Sequence, residues 1–335
     1  MKELQAIVQH LTAPEAKPGV LATLVSVEGS SYRRPGARLF VTADGRRIGS
    51  ISGGCLEEDV LVRAQAVAAS GRPELVVYDT SSENDLVWGV GLGCHGVVQV
   101  LLEKLPAQPG WVKTLSANLA ARRATEVEVI WRDAGAKAAL GTRLASPSAS
   151  TPLDAGVFRQ TLEPPVALVI FGAGDDAQPL VGFARQLGWH VTVADPRPVY
   201  ATAARFPEAD ALVVGPAEEL VSRIDPGPAA LAVVMTHHYV HDVPLLRALL
   251  ARPLAYLGLL GPKKRADKIA GDLTAEGFTL TPEMRARLHA PVGLDLGAET
   301  PGEVALAIMA EMQAALGRRD GRPLRERTGS IHGIK

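Results

Sequence analysis

The first half of the chain predicts a mixture of helices and short strands. Apolar residues recur at helical spacing over residues 2–11 and 56–70, and Gly71 ends the second helix. Runs rich in β-branched residues predict strands over residues 19–27, 38–42, 46–51, 74–78, 97–104 and 126–131. This pattern predicts an N-terminal mixed α/β domain over residues 1–145.

From residue 166 onward, near-continuous apolar strands alternate with helices. The predicted strands are residues 166–171, 190–194, 211–214, 230–235 and 255–259. Helices are predicted over residues 177–187 and 243–250, after Pro262, and from Thr300 onward. Such alternation predicts an α/β fold with a Rossmann-like, doubly wound parallel sheet over residues 166–335. The Ser/Pro/Thr-rich residues 146–165 are expected to be the linker.

Composition narrows the class of protein. The 335 residues are 47% hydrophobic and carry 35 basic against 36 acidic side chains, so the basic excess typical of nucleic-acid binding is missing. Apolar runs are too short for a membrane helix, and the N-terminal residues do not resemble a signal peptide. Two cysteines cannot form a disulfide scaffold, which favours the cytoplasm.

A glycine-rich turn follows the first strand of the second domain. Gly172 and Gly174 fit the pattern G-x-G-x-x-A, and Asp195 ends the next strand. Such glycines let the backbone approach a diphosphate at a helix N-terminus, and the carboxylate accepts a ribose hydroxyl. The motif predicts a nucleotide site, although the same fold also serves without a nucleotide. Asp175 and Asp176 would repel a diphosphate unless they face outward or cap the helix.

Both cysteines lie in glycine-rich turns. Cys55 follows Gly53 and Gly54 at a predicted helix start, where free backbone N–H groups stabilise a thiolate. A free cysteine is also commonly a small buried residue, and both interpretations stay open. Cys94 lies in the sequence GVGLGCHG, where His95 either helps to activate the thiol or is a surface residue.

Arg33 and Arg34 lie in a third turn, GSSYRRPG. Guanidinium groups match the geometry of phosphate oxygens, so this loop suits an anionic group. The alternative is a solvated surface turn.

Three histidines follow the fourth strand of the second domain. His237, His238 and His241 have the side chains of metal ligands, but no distant fourth ligand is evident, so the sequence does not decide whether they bind a metal. The strand end of this fold is also where ligand-facing polar residues occur. The sequence GPKKR from Gly261 either receives a phosphate or is a solvated helix start.

Together these motifs resemble the accessory-factor family of xanthine and carbon monoxide dehydrogenases (XdhC/CoxI type). The matching segments of the first half are GSSYRRPGARLFV, GSISGGCLEEDV and GLGCHG. Those of the second half are VIFGAGDDAQPL, VADPRP, VMTHHYVHDVPLL, YLGLLGPKKR and PVGLDLGAETPGEVALAIMAEM. They occur in the family's order and cover most of the chain apart from roughly residues 105–165.

The resemblance implies a chaperone that binds molybdenum cofactor (molybdopterin) and assists its sulfuration and insertion into a xanthine dehydrogenase-type molybdenum hydroxylase. The implied partners are the hydroxylase apoenzyme and a cysteine desulfurase; a homodimer is left open. It implies an accessory factor rather than an enzyme, without catalytic residues, whose Cys55 and Cys94 contact the cofactor's molybdenum or its sulfur.

The expected cofactor-binding residues combine the three turns with the nucleotide motif. They are Arg33, Arg34, Gly53, Gly54, Cys55, Cys94, Gly172, Gly174 and Asp195. The second domain is expected to take either NAD(P) or a nucleotide form of the cofactor. Many family members have histidine where this chain has Asp175, and glycine where it has His95.

Two alternative functions remain. Gly172, Gly174 and Asp195 are also compatible with an NAD(P)-dependent oxidoreductase, although no proton donor paired with a substrate-binding arginine is recognisable. The other alternative is an adaptor protein in which the cysteines are structural and the second domain binds no small molecule.

Overall fold

The computed structural model describes residues 2–79, 96–132, 139–145, 156–225, 227, 229–328 and 331. The chain divides into two compact units, Met1–Pro165 and Val166–Lys335. Cys94 and His95 lie outside the described residues, so the predictions made for them are not addressed by the structure. Within the described ranges, no helix is both long and apolar enough to span a bilayer.

In the first unit, the described residues form two antiparallel sheets and three helices. In chain order they are α1 (Lys2–Thr12), β1 (Gly19–Gly29), β2 (Arg38–Thr42), β3 (Arg47–Gly49), α2 (Glu57–Ser70), β4 (Glu74–Asp79), β5 (Gly96–Leu105), α3 (Gly110–Ala120), β6 (Thr125–Ile130), β7 (Gly141–Leu144) and β8 (Val157–Leu162). The larger sheet has the order β3-β2-β1-β5-β4, and the smaller sheet has the order β7-β6-β8.

The larger sheet is covered on both faces because its central strands are apolar on both sides. Helix α2 packs Val60 and Ala64 into one cluster, together with alternate residues of β1, β2 and β5. Helices α1 and α3 bury Ile7 and Trp111 in a separate cluster with Leu21 of β1. The loop after β1 and the loop before α2 are therefore attached to elements that pack in a hydrophobic core.

Three elements of the first unit, β7, β8 and α3, are not predicted from the sequence. Strand β8 lies inside residues 146–165, which the sequence assigns to a linker, and it pairs with β6 from Thr125↔Leu162 to Ile130↔Val157. Polar residues such as Arg159 and Thr161 mask its alternating pattern, since they face solvent. Helix α3 does not follow from the sequence pattern, because it lacks a capping side chain and an acidic first turn.

In the second unit, strands and helices alternate. They are β9 (Ala167–Phe171), α4 (Ala177–Gln186), β10 (His190–Asp195), β11 (Ala211–Val214), α5 (Ala217–Leu220), β12 (Leu231–Val234), α6 (Tyr239–Leu250), β13 (Tyr256–Leu259), α7 (Lys263–Ala275), α8 (Pro282–Arg287), β14 (Leu288–His289) and α9 (Pro301–Leu316). Their sheet is parallel throughout, with the order β11-β10-β9-β12-β13-β14. This is the strand order of a Rossmann fold, as the sequence predicts.

Both faces of this sheet are buried. Val169 and Phe171 of β9 point into a cluster with α5, α6 and α7, whereas Leu168 and Ile170 point into a cluster with α4 and α9. The order of the strands reverses between β9 and β12, so the loops that follow these two strands flank the switch point of the sheet. In this fold, ligands bind at that edge.

Candidate functional site

The cysteine loop, residues 50–56, is organised by one buried carboxylate. Glu57, the first residue of α2, is 6% exposed and turns back under the loop. It accepts hydrogen bonds from the Ser50 hydroxyl (2.9 Å), the Ile51 N–H (3.2 Å), the Ser52 N–H (2.9 Å) and the Ser52 hydroxyl. The Ser52 Oγ in turn accepts from the N–H groups of Gly54 (3.1 Å) and Leu56 (3.2 Å).

The charge of Glu57 is stabilised by these donors. Burial by itself raises the pKa of the carboxyl, but the hydrogen bonds from Ser52 and Ser50 outweigh burial and lower the pKa. An ionised carboxylate therefore fixes the backbone of the loop at neutral pH.

Cys55 projects from the loop that Glu57 holds. Its side chain is an exposed free thiol, which favours the partly exposed turn over the buried apolar residue. Gly54 adopts a left-handed conformation (φ = 112°), and a Cβ atom there would meet no atom within 4 Å. The backbone beside the thiol is thus open to a ligand.

The cysteine loop and the GSSYRRPG turn lie beside each other in the first unit. A Cβ atom on Gly53 would lie 3.7 Å from the ring of Tyr32, which belongs to the GSSYRRPG turn. Gly96, two residues after Cys94 in the sequence, pairs with Gly29 and approaches Ser30 so closely that a Cβ would lie 2.4 Å from its carbonyl oxygen. Motifs that are separate in the sequence therefore meet at one end of β1.

Arg33 and Arg34 line a cavity of about 390 Å³ in the first unit. Arg33 is half-buried and forms a two-point ion pair with Glu3 of α1, one of its hydrogen bonds being 3.2 Å long. Gly36 and Arg38 also line this cavity. The arginine turn is therefore more than a solvated surface turn.

Arg38 is a buried cation that the sequence pattern does not reveal, because it lies inside an apolar strand. Its Nη1 donates to the Gly36 carbonyl (2.9 Å) and to Gln160 Oε1 of β8 (2.8 Å). Nε and Nη2 are buried without a hydrogen-bond partner among the described residues. Burial lowers the pKa of Arg38 to about 10, although the nearby Glu103 carboxylate acts in the opposite direction.

In the second unit, the turn after β9 requires glycine at its first position. Gly172 has φ = 123°, and a Cβ atom there would lie 2.4 Å from the carbonyl oxygen of Met235, at the end of β12. The Gly172 N–H donates to the Ala194 carbonyl over 2.8 Å. The turn is thus packed against the ends of both neighbouring strands.

Asp195 lies beside this turn but is fully buried. One oxygen accepts from the Ala173 N–H (2.7 Å) and from Arg197 Nη2 (2.9 Å); the other accepts from the Arg197 backbone N–H (2.8 Å) and Nε (2.9 Å). Burial raises the pKa of Asp195, but the hydrogen bonds from Arg197 and Ala173 outweigh it and lower the pKa. This geometry makes Asp195 an internal anchor of the turn and leaves it inaccessible to a ribose hydroxyl.

The two acidic residues of the turn have different partners. Asp175 is 81% exposed and pairs with Arg205 over 2.9 Å. Asp176 is the N-cap residue of α4, but its side chain accepts no capping hydrogen bond, and its Oδ2 lies 2.7 Å from Nε2 of His237. The sequence leaves two arrangements for these carboxylates, facing outward or capping the helix. Asp175 faces outward. Asp176 does neither, and its contact with His237 connects the loops after β9 and β12.

The histidine cluster does not converge on a common point. His237 contacts Asp176, while the rings of His238 and His241 form an edge-to-face pair with centroids 5.7 Å apart. Within the described part of the chain, no three histidine, cysteine or acidic side chains are placed to hold a metal ion.

One cation at the basic start of α7, Arg265, is engaged internally. Arg265 pairs with the buried Asp242, which accepts a second hydrogen bond from the Thr236 hydroxyl over 2.6 Å. Arg265 is therefore part of the packing at the end of β12 rather than a free phosphate ligand or a solvated helix end.

The geometry describes a two-unit protein with a glycine-rich cysteine loop in one unit and a Rossmann fold in the other. Comparison with known families agrees: residues 168–312 match the XdhC Rossmann domain, and residues 13–79 match the XdhC and CoxI family.

Similar proteins cover nearly the whole chain. A protein of Bacillus subtilis (strain 168), described as a probable subunit of xanthine dehydrogenase, is 35% identical over 317 residues, 89% of this chain and 93% of that protein. The "Molybdenum cofactor insertion chaperone PaoD" of Escherichia coli (strain K12) is 26% identical, over 88% of this chain and 83% of its own. A crystal structure described as a xanthine dehydrogenase from Bacillus halodurans is 31% identical, covers 96% of this chain and 97% of that chain, and has a TM-score of 0.81. The chain belongs to the XdhC and CoxI family.

Proposed function

We propose that this protein is a molybdenum cofactor chaperone, which binds the cofactor and assists its sulfuration and insertion into a xanthine dehydrogenase-type molybdenum hydroxylase. The observation that carries the proposal is the exposed Cys55 thiol on a glycine loop held by the buried Glu57. Similarity to PaoD along most of both chains supports it.

The donor set of the first unit suits this cargo. Molybdenum cofactor supplies a soft, sulfur-ligated metal and a phosphate on a pterin, and thiolates are the protein ligands that tolerate such a centre. Cys55 would contact the metal or its sulfur, and Cys94 would do so from the second glycine-rich turn, as the family resemblance implies. Gly54 leaves the backbone beside the thiol open.

Arg33 and Arg34 would hold the phosphate. Both line the same cavity as the buried Arg38, whose Nε and Nη2 have no hydrogen-bond partner among the described residues. Guanidinium groups bind phosphate oxygens through charge-assisted hydrogen bonds. The Arg33–Glu3 ion pair keeps that side chain ordered before a ligand arrives.

A chaperone must also release its cargo. The chain's own contribution is then to bind the cofactor, to orient it through Cys55 and the arginines, and to yield it to a partner with stronger ligands. The proposed partners are the hydroxylase apoenzyme and a cysteine desulfurase. A reducing compartment such as the cytoplasm suits this role, because the thiol must stay reduced.

The direct test is cofactor binding in solution. Cofactor released anaerobically from a molybdenum hydroxylase would be mixed with the purified chain, separated by gel filtration, and detected by pterin fluorescence. We expect pterin to co-elute with the protein and Cys55→Ser to reduce the retained pterin about tenfold, equivalent to ~1.4 kcal/mol of binding free energy.

A matched control is Ser70→Ala, at the exposed C-terminal end of α2. This variant should retain as much pterin as the wild type. If the wild type retains no pterin, the chaperone proposal is wrong; if Cys55→Ser retains pterin fully, the role assigned to Cys55 is wrong.

A further inference from the structure

The switch point of the parallel sheet is where a Rossmann fold receives the diphosphate of a dinucleotide. The second glycine of the fingerprint leaves room for that diphosphate, because it carries no side chain. In this chain the second glycine is Gly174, in the turn between β9 and α4. What fills the space above Gly174 therefore decides whether a diphosphate fits.

That space is occupied by the protein itself. A Cβ atom on Gly174 would lie 2.6 Å from Oδ1 of Asp176 and 4.0 Å from Cδ2 of His237. The Asp176 Oδ1 atom is buried and has no hydrogen-bond partner in the described part of the chain. Its Oδ2 is held by His237 over 2.7 Å. A carboxylate thus lies where the oxygens of a diphosphate would have to be placed.

The bridge to His237 fixes this arrangement across the switch point. His237 has a left-handed backbone (φ = 60°), which is uncommon for a residue with a side chain. This conformation accompanies the contact of its ring with Asp176, which is 61 positions away in the sequence. The loops after β9 and β12 are consequently tied together over the crevice.

The charge of Asp176 and the burial of Asp195 also disfavour a dinucleotide at this turn. A carboxylate and a diphosphate at contact distance repel each other strongly where water is excluded. Asp195, the residue expected to take the ribose, is fully buried and presents no free oxygen to the crevice, because Ala173 and Arg197 engage both of its oxygens. A dinucleotide needs free space over Gly174 and a free carboxylate oxygen at Asp195, and contacts within the protein take both.

We infer that the Rossmann unit of this chain excludes diphosphate nucleotides, and that Asp176 is the residue that excludes them. Neither NAD(P) nor a nucleotide form of the molybdenum cofactor binds over the Gly172–Gly174 turn. This inference is independent of the cargo proposed above, because its test uses ADP and NADH alone.

The test compares the wild type with Asp176→Ala and Asp175→Asn of the full chain. ADP binding is measured by isothermal titration calorimetry, and NADH binding by fluorescence. We expect no saturable binding by the wild type and saturable binding by Asp176→Ala, with an association constant at least about tenfold above the lowest that the titration detects. Asp175→Asn is the matched control, since Asp175 is exposed and faces Arg205, and it should behave like the wild type.

Two outcomes overturn the inference. Saturable binding of ADP or NADH by the wild type contradicts the exclusion, and an Asp176→Ala protein with native circular dichroism that binds no better than the wild type contradicts the role of Asp176. Should Asp176→Ala not fold, Asp176→Asn keeps the shape of the side chain while removing its charge. It is then judged by whether its association constant exceeds that of the wild type.

Discussion

At the scale of single residues, both units use a buried carboxylate to hold a glycine-rich turn. Glu57 accepts hydrogen bonds from backbone N–H groups of the cysteine loop, and Asp195 accepts one from the Ala173 N–H of the turn after β9. In each case, backbone N–H groups that would otherwise need water are satisfied by an ionised side chain. The backbone of each turn is therefore held in place by a contact within the protein.

The substitution Glu57→Gln tests whether the buried carboxylate holds the cysteine loop. In glutamine, an NH₂ group replaces one of the two carboxylate oxygens that accept hydrogen bonds from the loop. Hydrogen bonds are therefore lost, and donors of the loop are left without an acceptor. We expect a loss of about 1–3 kcal/mol in the free energy of unfolding, measured by urea denaturation. Glu58→Gln, whose side chain is 76% exposed, should change this free energy by less than about 0.5 kcal/mol. Equal losses in both variants would contradict the assigned role of Glu57.

The stabilisation by Glu57 should also depend on pH. Because folding lowers the pKa of this carboxyl, its contribution is fully present above the pKa of the unfolded chain and is lost as pH falls through the folded pKa. The difference in unfolding free energy between wild type and Glu57→Gln should be largest above about pH 5 and shrink at lower pH. A difference that grows on acidification would refute the lowered pKa.

Local motifs predict where the turns lie, but not which side chains hold them. Gly53, Gly54 and Cys55 can be recognised in the sequence, whereas Glu57 looks like an ordinary acidic residue in the first turn of a helix. Asp176 and His237 are distant in sequence and meet because β9 and β12 are adjacent in the sheet. Such pairs follow from topology rather than from local pattern.

At the scale of elements, the β9–α4 connection depends on glycine at one position. Gly172→Ala would place a Cβ atom 2.4 Å from the Met235 carbonyl oxygen, at a φ that side chains rarely adopt. The atoms that this Cβ would meet are backbone atoms of Met235 and Thr236, which cannot turn aside as a side chain can. We therefore expect a loss of about 2–4 kcal/mol in unfolding free energy, or no soluble protein.

Gly174→Ala is the comparison for this prediction. Its Cβ would meet a side-chain atom, Asp176 Oδ1, rather than backbone, and its φ lies outside the left-handed region. The loss for Gly174→Ala should therefore be clearly smaller than that for Gly172→Ala by the same urea denaturation. A larger loss for Gly174→Ala would contradict this account of the turn.

Elements can be predicted well where burial makes their pattern uniform. Strands β9–β13 of the parallel sheet are largely apolar because helices cover both faces, so their positions follow from the sequence. The two-residue strand β14 is not predicted from the sequence. Strand β8 escapes prediction because its polar residues face solvent and its neighbours in sequence are rich in serine and proline. Helix α6 begins earlier than predicted, at Tyr239, and contains Pro244 in its interior, where the missing N–H removes one helix hydrogen bond.

At the scale of the whole molecule, each unit has hydrophobic clusters of its own. The clusters around the parallel sheet contain residues of Val166–Lys335 alone, and those around the antiparallel sheets contain residues of Met1–Pro165 alone. A unit with its own core is expected to fold independently. Residues 166–335 expressed alone should therefore unfold in a single cooperative transition, measured by circular dichroism on heating. A broad, non-cooperative loss of signal would contradict this independence.

The central claim is that the chain carries molybdenum cofactor on the cysteine loop of its first unit. The most direct measurement is the pterin content of the protein purified from a host that makes the cofactor, against the same protein from a host that cannot. The account predicts pterin in the first preparation, none in the second, and about tenfold less in a Cys55→Ser protein from the first host. A wild-type protein free of pterin after anaerobic purification from the cofactor-making host would contradict it.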